Sequence, residues 1–264
     1  MAEPRTWHHG LIAEWWARFN TEGPEIEHFA RWLAEGQPGL DAGCGTGRLL
    51  LPWLRAGYDV DGCDVSADML GLCRVRAERD GLEPTLWRTA LHELDPPRRY
   101  RTVVCCGTFG LGSTRAQDQE ALRRFRAALE PGGTLLLDNE APYANERRWP
   151  EWTAAGRANL PEPWPDRDER DRSEDGAEYA LRARALSRDP LDQSTTMEIE
   201  ARKWSAEGAL VATETHAITI RSYFRDELLL MLERAGFGDV AVYGDQTDEP
   251  PTPGSETLTF EARA

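Results

Sequence analysis

The chain has 264 residues, with 46 acidic against 31 basic side chains and a formal net charge of −15 at pH 7. That length is enough for one large α/β domain carrying an insertion. The acidity would repel phosphate backbones and anionic lipids, so neither a nucleic-acid nor a membrane partner is expected. Met1 to Gly10 lacks an apolar signal core, and no stretch approaches the ~18 apolar residues of a membrane span. The five cysteines have neither C-x-x-C spacing nor histidines at zinc-finger distances. The expectation is a cytoplasmic protein with reduced thiols and no metal site.

Leu11, Ile12, Trp15, Trp16 and Phe19 recur at helical spacing with His8 on the same stripe, which predicts a helix near 7–20. Core packing is the first role of those aromatics, and closing over a ligand the second. His8 and His9 would point about 100° apart on such a helix, so a surface pair is the default. Pro24 can open a second helix bearing Ile26, Phe29, Ala30 and Leu33.

From Pro38 onward short apolar runs alternate with helical segments, the pattern of a parallel sheet covered on both faces. Strands are predicted near 39–42, 58–63, 85–89, 102–106 and 134–138. Thr114 with Gln117 fits a capping box that opens a helix with the stripe Ala121, Leu122, Phe125 and Leu129, ended by Pro131-Gly132-Gly133. Arg123, Arg124 and Arg126 read as its solvated face, and Cys105 and Cys106 as buried strand residues.

Residues 159–178 read as an exposed loop on their prolines and charge. Alternation through Tyr179–Leu186, Met197–Arg202 and on to Ile220 predicts a small antiparallel cap. Whether His216, Ile218 and Ile220 or Arg221 and Tyr223 face the sheet is open. A helix through Leu228–Leu232 closed by Gly236, then strands near 240–243 and 257–260, complete the chain.

The stretch Leu40-Asp41-Ala42-Gly43-Cys44-Gly45-Thr46-Gly47 runs from a strand end into a glycine-rich turn and a helix from Arg48 to Ala56. Glycines there allow a tight turn and close approach of a ligand to the main chain. A dinucleotide site is the competing reading. Asp41 argues against it, because a carboxylate at this place would repel a pyrophosphate but attract an ammonium group. The spacing also departs from G-x-G-x-x-G. Asp64, ending the second strand 23 residues later, can accept both hydroxyls of an adenosine ribose. Ribose and ammonium without pyrophosphate describe S-adenosylmethionine.

Through DAGCGTG at 41–47, GCDVSADML at 62–70 and LEPGGTLLLD at 129–138, the sequence resembles the class I S-adenosylmethionine-dependent methyltransferases, well over about 35–140 and again at AGF 235–237. The resemblance implies a doubly wound, Rossmann-like α/β fold whose seven-stranded sheet is mostly parallel with an antiparallel last strand. Helical spacing before the first strand and alternation after the fifth divide the chain into an N-terminal helical lid (1–36), a cofactor domain (37–138 and 225–264) and an inserted antiparallel β cap (139–224) that is expected, from its place at the carboxyl edge of the sheet, to bind the acceptor. By position Asp41, Gly43, Cys44 and Gly45 would lie at the cofactor, Asp64 at the ribose, and Val65 and Met69 beside the adenine. Ala90 and Leu91 would meet the adenine edge, where Thr89-Ala90-Leu91 stands in place of a frequent acidic residue. Cys106 and Gly107 would meet the methionine end.

The expected reaction is in-line methyl transfer to a nitrogen or oxygen of a small molecule. It needs a base only if the acceptor must lose a proton. Glu140, Tyr223 and His8 are the candidates by position. The insertion also resembles, less closely, that of methyltransferases of aminosugars and other small metabolites. The rival readings are a methyltransferase of protein or tRNA, and a cofactor-binding protein without catalysis on the same fold. The acceptor's identity and the oligomeric state are not written in the sequence.

Overall fold

The computed structural model describes residues 6–142, 146–166 and 169–264. Two helices lead, α1 (Gly10–Phe19) and α2 (Glu25–Glu35). An alternating run follows: β1 (Gly39–Ala42), α3 (Leu50–Arg55), β2 (Val60–Asp64), α4 (Ala67–Arg79), β3 (Leu86–Arg88), β4 (Tyr100–Cys105), α5 (Arg115–Ala128) and β5 (Leu129–Glu140). The insertion holds α6 (Ala154–Arg157), β6 (Asp171–Arg172), β7 (Glu178–Asp189), β8 (Ser194–Trp204) and β9 (Leu210–Arg221). The chain then returns through α7 (Arg225–Ala235), β10 (Gly238–Gly244) and β11 (Thr257–Arg263).

The main sheet runs β3-β2-β1-β4-β5-β11-β10. β11 is antiparallel to both neighbours and the other pairings are parallel. The chain winds outward from β1 to β3, then restarts on the other side of β1 at β4. That reversal opens a crevice at the carboxyl ends of β1 and β4, where open α/β sheets take their ligands. Leu40, Val103, Leu135 and Phe260 fill one face of the sheet with the α5 stripe Ala121, Leu122 and Phe125. Phe29, Leu50, Trp53, Val104 and Leu136 fill the other. Both layers are apolar because parallel strands are covered twice.

Local chemistry fixes the element ends. The Thr114 hydroxyl accepts from the Gln117 amide while Gln117 Oε1 accepts from the Thr114 amide, closing the capping box. Gly236, at φ +93°, ends α7. Three boundaries differ from expectation. α1 starts at Gly10, whose φ of +51° breaks the helical path, so His8 and His9 precede the helix and the 100° argument does not govern them. The helix after the glycine turn starts at Leu50, not Arg48. Pro131-Gly132-Gly133 lies within β5, because α5 already ends at Ala128.

β6 to β9 form a separate antiparallel sheet in that order. α1 lies on one face, packing Leu11 and Ile12 on Ile199 and Ala201. Glu14 accepts hydrogen bonds there from Tyr179 and Lys203. His216 sits on this side, its ring 6.3 Å from that of His9. On the other face Arg182 pairs with Glu200 and Arg184 with Glu198, while the Trp164 ring lies 5.0 and 4.4 Å from their guanidinium carbons. The stretch read as an exposed loop is thus tied down at Trp164 and β6. Among the described residues no helix is long and apolar enough to cross a membrane.

Candidate active site

A cavity of about 340 Å³ opens at the carboxyl ends of β1, β2, β3 and β4. Its floor is the glycine turn. Gly43, Gly45 and Gly47 have φ of +89°, +54° and +85°, and a Cβ on Gly43 would come within 2.4 Å of the Thr108 hydroxyl. The Gly43 and Cys44 amides both donate to the Cys63 carbonyl, at 2.8 and 2.9 Å, which ties the turn to β2.

Asp64 holds the opposite wall. Its Oδ2 accepts from the Gly45 amide at 2.9 Å and its Oδ1 from the Ser66 amide at 2.7 Å. Burial raises its pKa and those amides oppose the rise. Each oxygen keeps a lone pair for a hydroxyl donor.

Asp41 is 2% exposed and lines the same cavity, yet its Oδ2 has no hydrogen-bond partner. Burial, then the charge of Asp64, pushes its pKa up to about 8, against a donation from the Leu50 amide. A buried carboxyl with an orphaned oxygen is costly unless something pairs with it. An ammonium ion is the partner that would pull it back to the ionised form. The residues therefore fit a ligand carrying both ribose hydroxyls and an amino group.

Val65, Met69, Ala90 and Leu91 all line the cavity, as do Cys44, Cys106 and Gly107. At the end of β4 the Cys106 thiol and the Gly107 amide both donate to Asp138 of β5, at 3.0 and 2.6 Å. No sequence signal announced that anchoring role, since Asp138 read only as a strand end. Cys44, Cys63, Cys73 and Cys105 are free and buried, and Cys106 is free and half-buried.

Of the three catalytic candidates, only His8 lines the cavity. Its ring packs edge-on against Trp16 at 5.5 Å, and burial, helped by His9, lowers its pKa to about 4. It is neutral at physiological pH. Glu140 is exposed and Tyr223 fully buried, and neither lines the cavity, which corrects both expectations. β5 stays paired with β11 up to Glu140 opposite Thr257, so the strand carries Glu140 past the crevice. The Tyr223 phenol donates instead to Asp118, and its ring packs on Phe109.

The insertion also behaves differently from expectation. Among the described residues that line the cavity, none comes from 139–224. β9 acts through the loop between β4 and α5: Gly112 donates to Thr219 at 2.8 Å, Arg221 donates to Gly110 at 2.9 Å, and Leu111 bridges Ile220. Gly110, Leu111 and Ser113 of that loop do line the cavity. Arg221 and Tyr223 thus face α5, pairing with Asp192 and Asp118.

Several lining residues escaped the sequence. Gln117 and Asp118 come from α5, and His92 from the turn after β3, with Gln117 Nε2 3.2 Å from His92 Nε2. Trp7 and Asn20 join Trp16, which the helical stripe had offered for closing over a ligand, in covering the cavity from the N-terminal segment. Gln117 read only as a helix cap, and His92 carried no spacing signal.

Sheet order and glycine turn give the chain the Rossmann-like fold of S-adenosylmethionine-dependent methyltransferases, with Asp41 and Asp64 at its crevice. Residues 40–133 match a family model described as a methyltransferase domain. The chain is 25% identical over 244 residues to YqeM of Bacillus subtilis, a protein bearing a methyltransferase name, covering 90% of each. The CcbJ methyltransferase from Streptomyces caelestis shares the fold with a TM-score of 0.70 at 23% identity, covering 96% of each chain. The sugar N-methyltransferase KedS8 from Streptoalloteichus shares it with a TM-score of 0.67 at 17% identity, covering 100% of this chain and 99% of the other. A methyltransferase domain thus spans residues 40–133, in a chain whose fold is that of S-adenosylmethionine-dependent methyltransferases.

Proposed function

We propose that the protein methylates a nitrogen of a small molecule. The observation that carries this is the enclosure of the cavity, which Trp7, His8, Trp16 and Asn20 wall off on the N-terminal side. A macromolecular acceptor needs an open approach, and the formal charge of −15 repels tRNA.

S-adenosylmethionine, when bound, supplies a methyl group on a sulfonium, a carbon already joined to a good leaving group. The chain's own work is then to orient the acceptor and exclude water. Asp41 and Asp64 hold the cofactor's charged and hydroxyl ends. The aromatic side chains of the N-terminal segment keep solvent out. Among the described residues of the cavity, both histidines are poor proton acceptors for a hydroxyl and Asp118 is already engaged. His8 is shifted down to about 4, burial lowers His92 as well, and Asp118 takes hydrogen bonds from Tyr223 and Ser113. An amine that enters as the free base needs no such help. The name of KedS8 as a sugar N-methyltransferase agrees with that choice.

The test is incubation with methyl-labelled S-adenosylmethionine and matched panels of amino sugars, the corresponding hydroxy sugars, and tRNA and protein fractions. Mass spectrometry should find the label on the amines alone. Label on tRNA or protein would overturn the reading. Tight cofactor binding with no transfer to any acceptor would favour a non-catalytic role.

A further inference from the structure

The walls of the cavity divide by chemistry. The cofactor accounts for Asp41, Asp64 and the glycine turn. The N-terminal wall, formed by Thr6, Trp7, His8, Trp16 and Asn20, carries no charge at neutral pH, since burial holds the His8 imidazole neutral. Two indoles dominate it.

The Trp16 ring is braced by a chain of aromatic contacts. It meets Trp15 at 5.0 Å between ring centres, Trp15 meets Phe19 at 5.7 Å, and Phe19 meets the buried Tyr179 of β7 at 5.8 Å. Trp15 Nε1 also donates to Asp171 of β6 at 2.8 Å. The inserted sheet thus supports the cavity through α1 without lining it. An aromatic surface fixed in this way loses little side-chain freedom when a ligand packs on it.

Two polar groups interrupt the apolar wall. The Thr6 hydroxyl is buried with no hydrogen-bond partner among the described residues, which is costly unless a ligand supplies one. Asn20 follows the end of α1, and its side-chain amide both donates and accepts. Flat apolar faces with a few neutral hydrogen-bonding groups suit a ligand divided the same way. In a hydroxylated saturated ring, the C–H groups beside oxygen are slightly positive and pack on the negative face of an indole, while the hydroxyls stand at the rim. A phosphate or carboxylate would find no cation on this wall.

We propose that this wall is the binding face for the methyl acceptor: Trp16, with Trp7, stacks a hydroxylated saturated ring, and Asn20 and Thr6 take its hydroxyls. The inference rests on the proposed methylation of a nitrogen and narrows its acceptor to hydroxylated ring amines, whether amino sugars or aminocyclitols.

Protein loaded with S-adenosylhomocysteine is titrated by calorimetry with amino sugars, with aminocyclitols, with the same rings bearing a hydroxyl in place of the amine, and with cyclohexylamine, which keeps ring and amine but has no hydroxyl. Transfer from methyl-labelled S-adenosylmethionine is followed on the same compounds. Wild type should bind hydroxylated ring amines more tightly than cyclohexylamine; preference for either ring type supports the proposal, and the tighter of the two names the ring. Asn20→Leu should weaken the hydroxylated amines by about 3- to 10-fold and leave cyclohexylamine within about twofold, the scale of a neutral hydrogen bond. Trp16→Leu should weaken both by about tenfold, raising KM more than it lowers kcat, with S-adenosylhomocysteine affinity within about twofold. Cyclohexylamine bound as tightly as the hydroxylated amines, an unchanged ratio in Asn20→Leu, or a Trp16→Leu variant that loses cofactor affinity as much as acceptor affinity would overturn the proposal. Should Trp16→Leu fail to fold, Trp16→Phe and the ratio in Asn20→Leu decide. Label on the oxygen of a hydroxy ring, with the same dependence on Asn20 and Trp16, would overturn the nitrogen reading and uphold this wall. Label on an acyclic amine, with no ring compound bound, would do the reverse.

Discussion

Replacing Asp41 with asparagine should make the ligand-free protein more stable at alkaline pH and a poorer binder of its cofactor. Burial and Asp64 raise the Asp41 pKa from 3.8 to about 8. The folded state therefore holds this proton more tightly than the unfolded chain does. The stability it confers is complete below about pH 4 and is lost as pH rises toward about 8. A shift of about four units at about 1.4 kcal/mol each sets an upper bound near 5 kcal/mol, and relaxation of the site should leave about 2–4. Asparagine cannot ionise, so denaturant titrations should show this part of the loss between about pH 4 and 8.5 in wild type and not in Asp41→Asn. The cofactor's ammonium, by contrast, needs the ionised carboxylate. The variant should bind S-adenosylhomocysteine about 10- to 100-fold more weakly, and wild type should release up to about one proton per ligand near pH 7, seen as a buffer dependence of the calorimetric heat. A variant less stable than wild type at about pH 8.5, or one of unchanged affinity, would refute the reasoning.

Asp64→Ala should weaken cofactor binding by about 1.5–3 kcal/mol in a titration, and it also strips the Gly45 and Ser66 amides of their acceptor. Tyr223→Phe should cost about 1–2 kcal/mol in thermal or chemical unfolding while cofactor affinity stays within about twofold, since the phenol serves Asp118 and lies outside the cavity. Gly110→Ala, at a φ of +81° with a Cβ 2.7 Å from the Arg221 carbonyl oxygen, should destabilise by about 1–3 kcal/mol; an unfolding midpoint equal to wild type would show that β9 does not hold this loop. His8→Ala should lower the turnover number by less than about tenfold on an amine acceptor, because a neutral, weakly basic imidazole contributes contact more than proton transfer.

The parts of the site written in contiguous residues were legible in the sequence. The glycine turn, Asp41 and Asp64 sit at strand ends whose apolar runs mark them, and the Thr114 capping box announced α5 by its own spacing. What escaped depends on partners distant in the chain. Asp138 acts on the tip of β4 only because β4 and β5 are neighbours in register. Asp118 and Tyr223 are 105 residues apart, and no periodicity links them. The insertion was expected at the acceptor because it leaves the carboxyl edge of the sheet. Its apolar face instead covers Leu11 and Ile12 of α1, so the N-terminal segment is what reaches the cavity. Gly10 shows the same limit at short range. Nothing in a helical stripe reveals that one glycine takes a positive φ and sends His8 out of the helix and into the site.

A crystal structure of the complex with S-adenosylhomocysteine tests the central claim most directly. The account predicts the ligand in the cavity at the ends of β1, β2 and β4, its ribose hydroxyls on Asp64 and its amino group on the now-paired Asp41 Oδ2. A ligand bound elsewhere, or one lying in the cavity with Asp41 Oδ2 still without a partner, would contradict it.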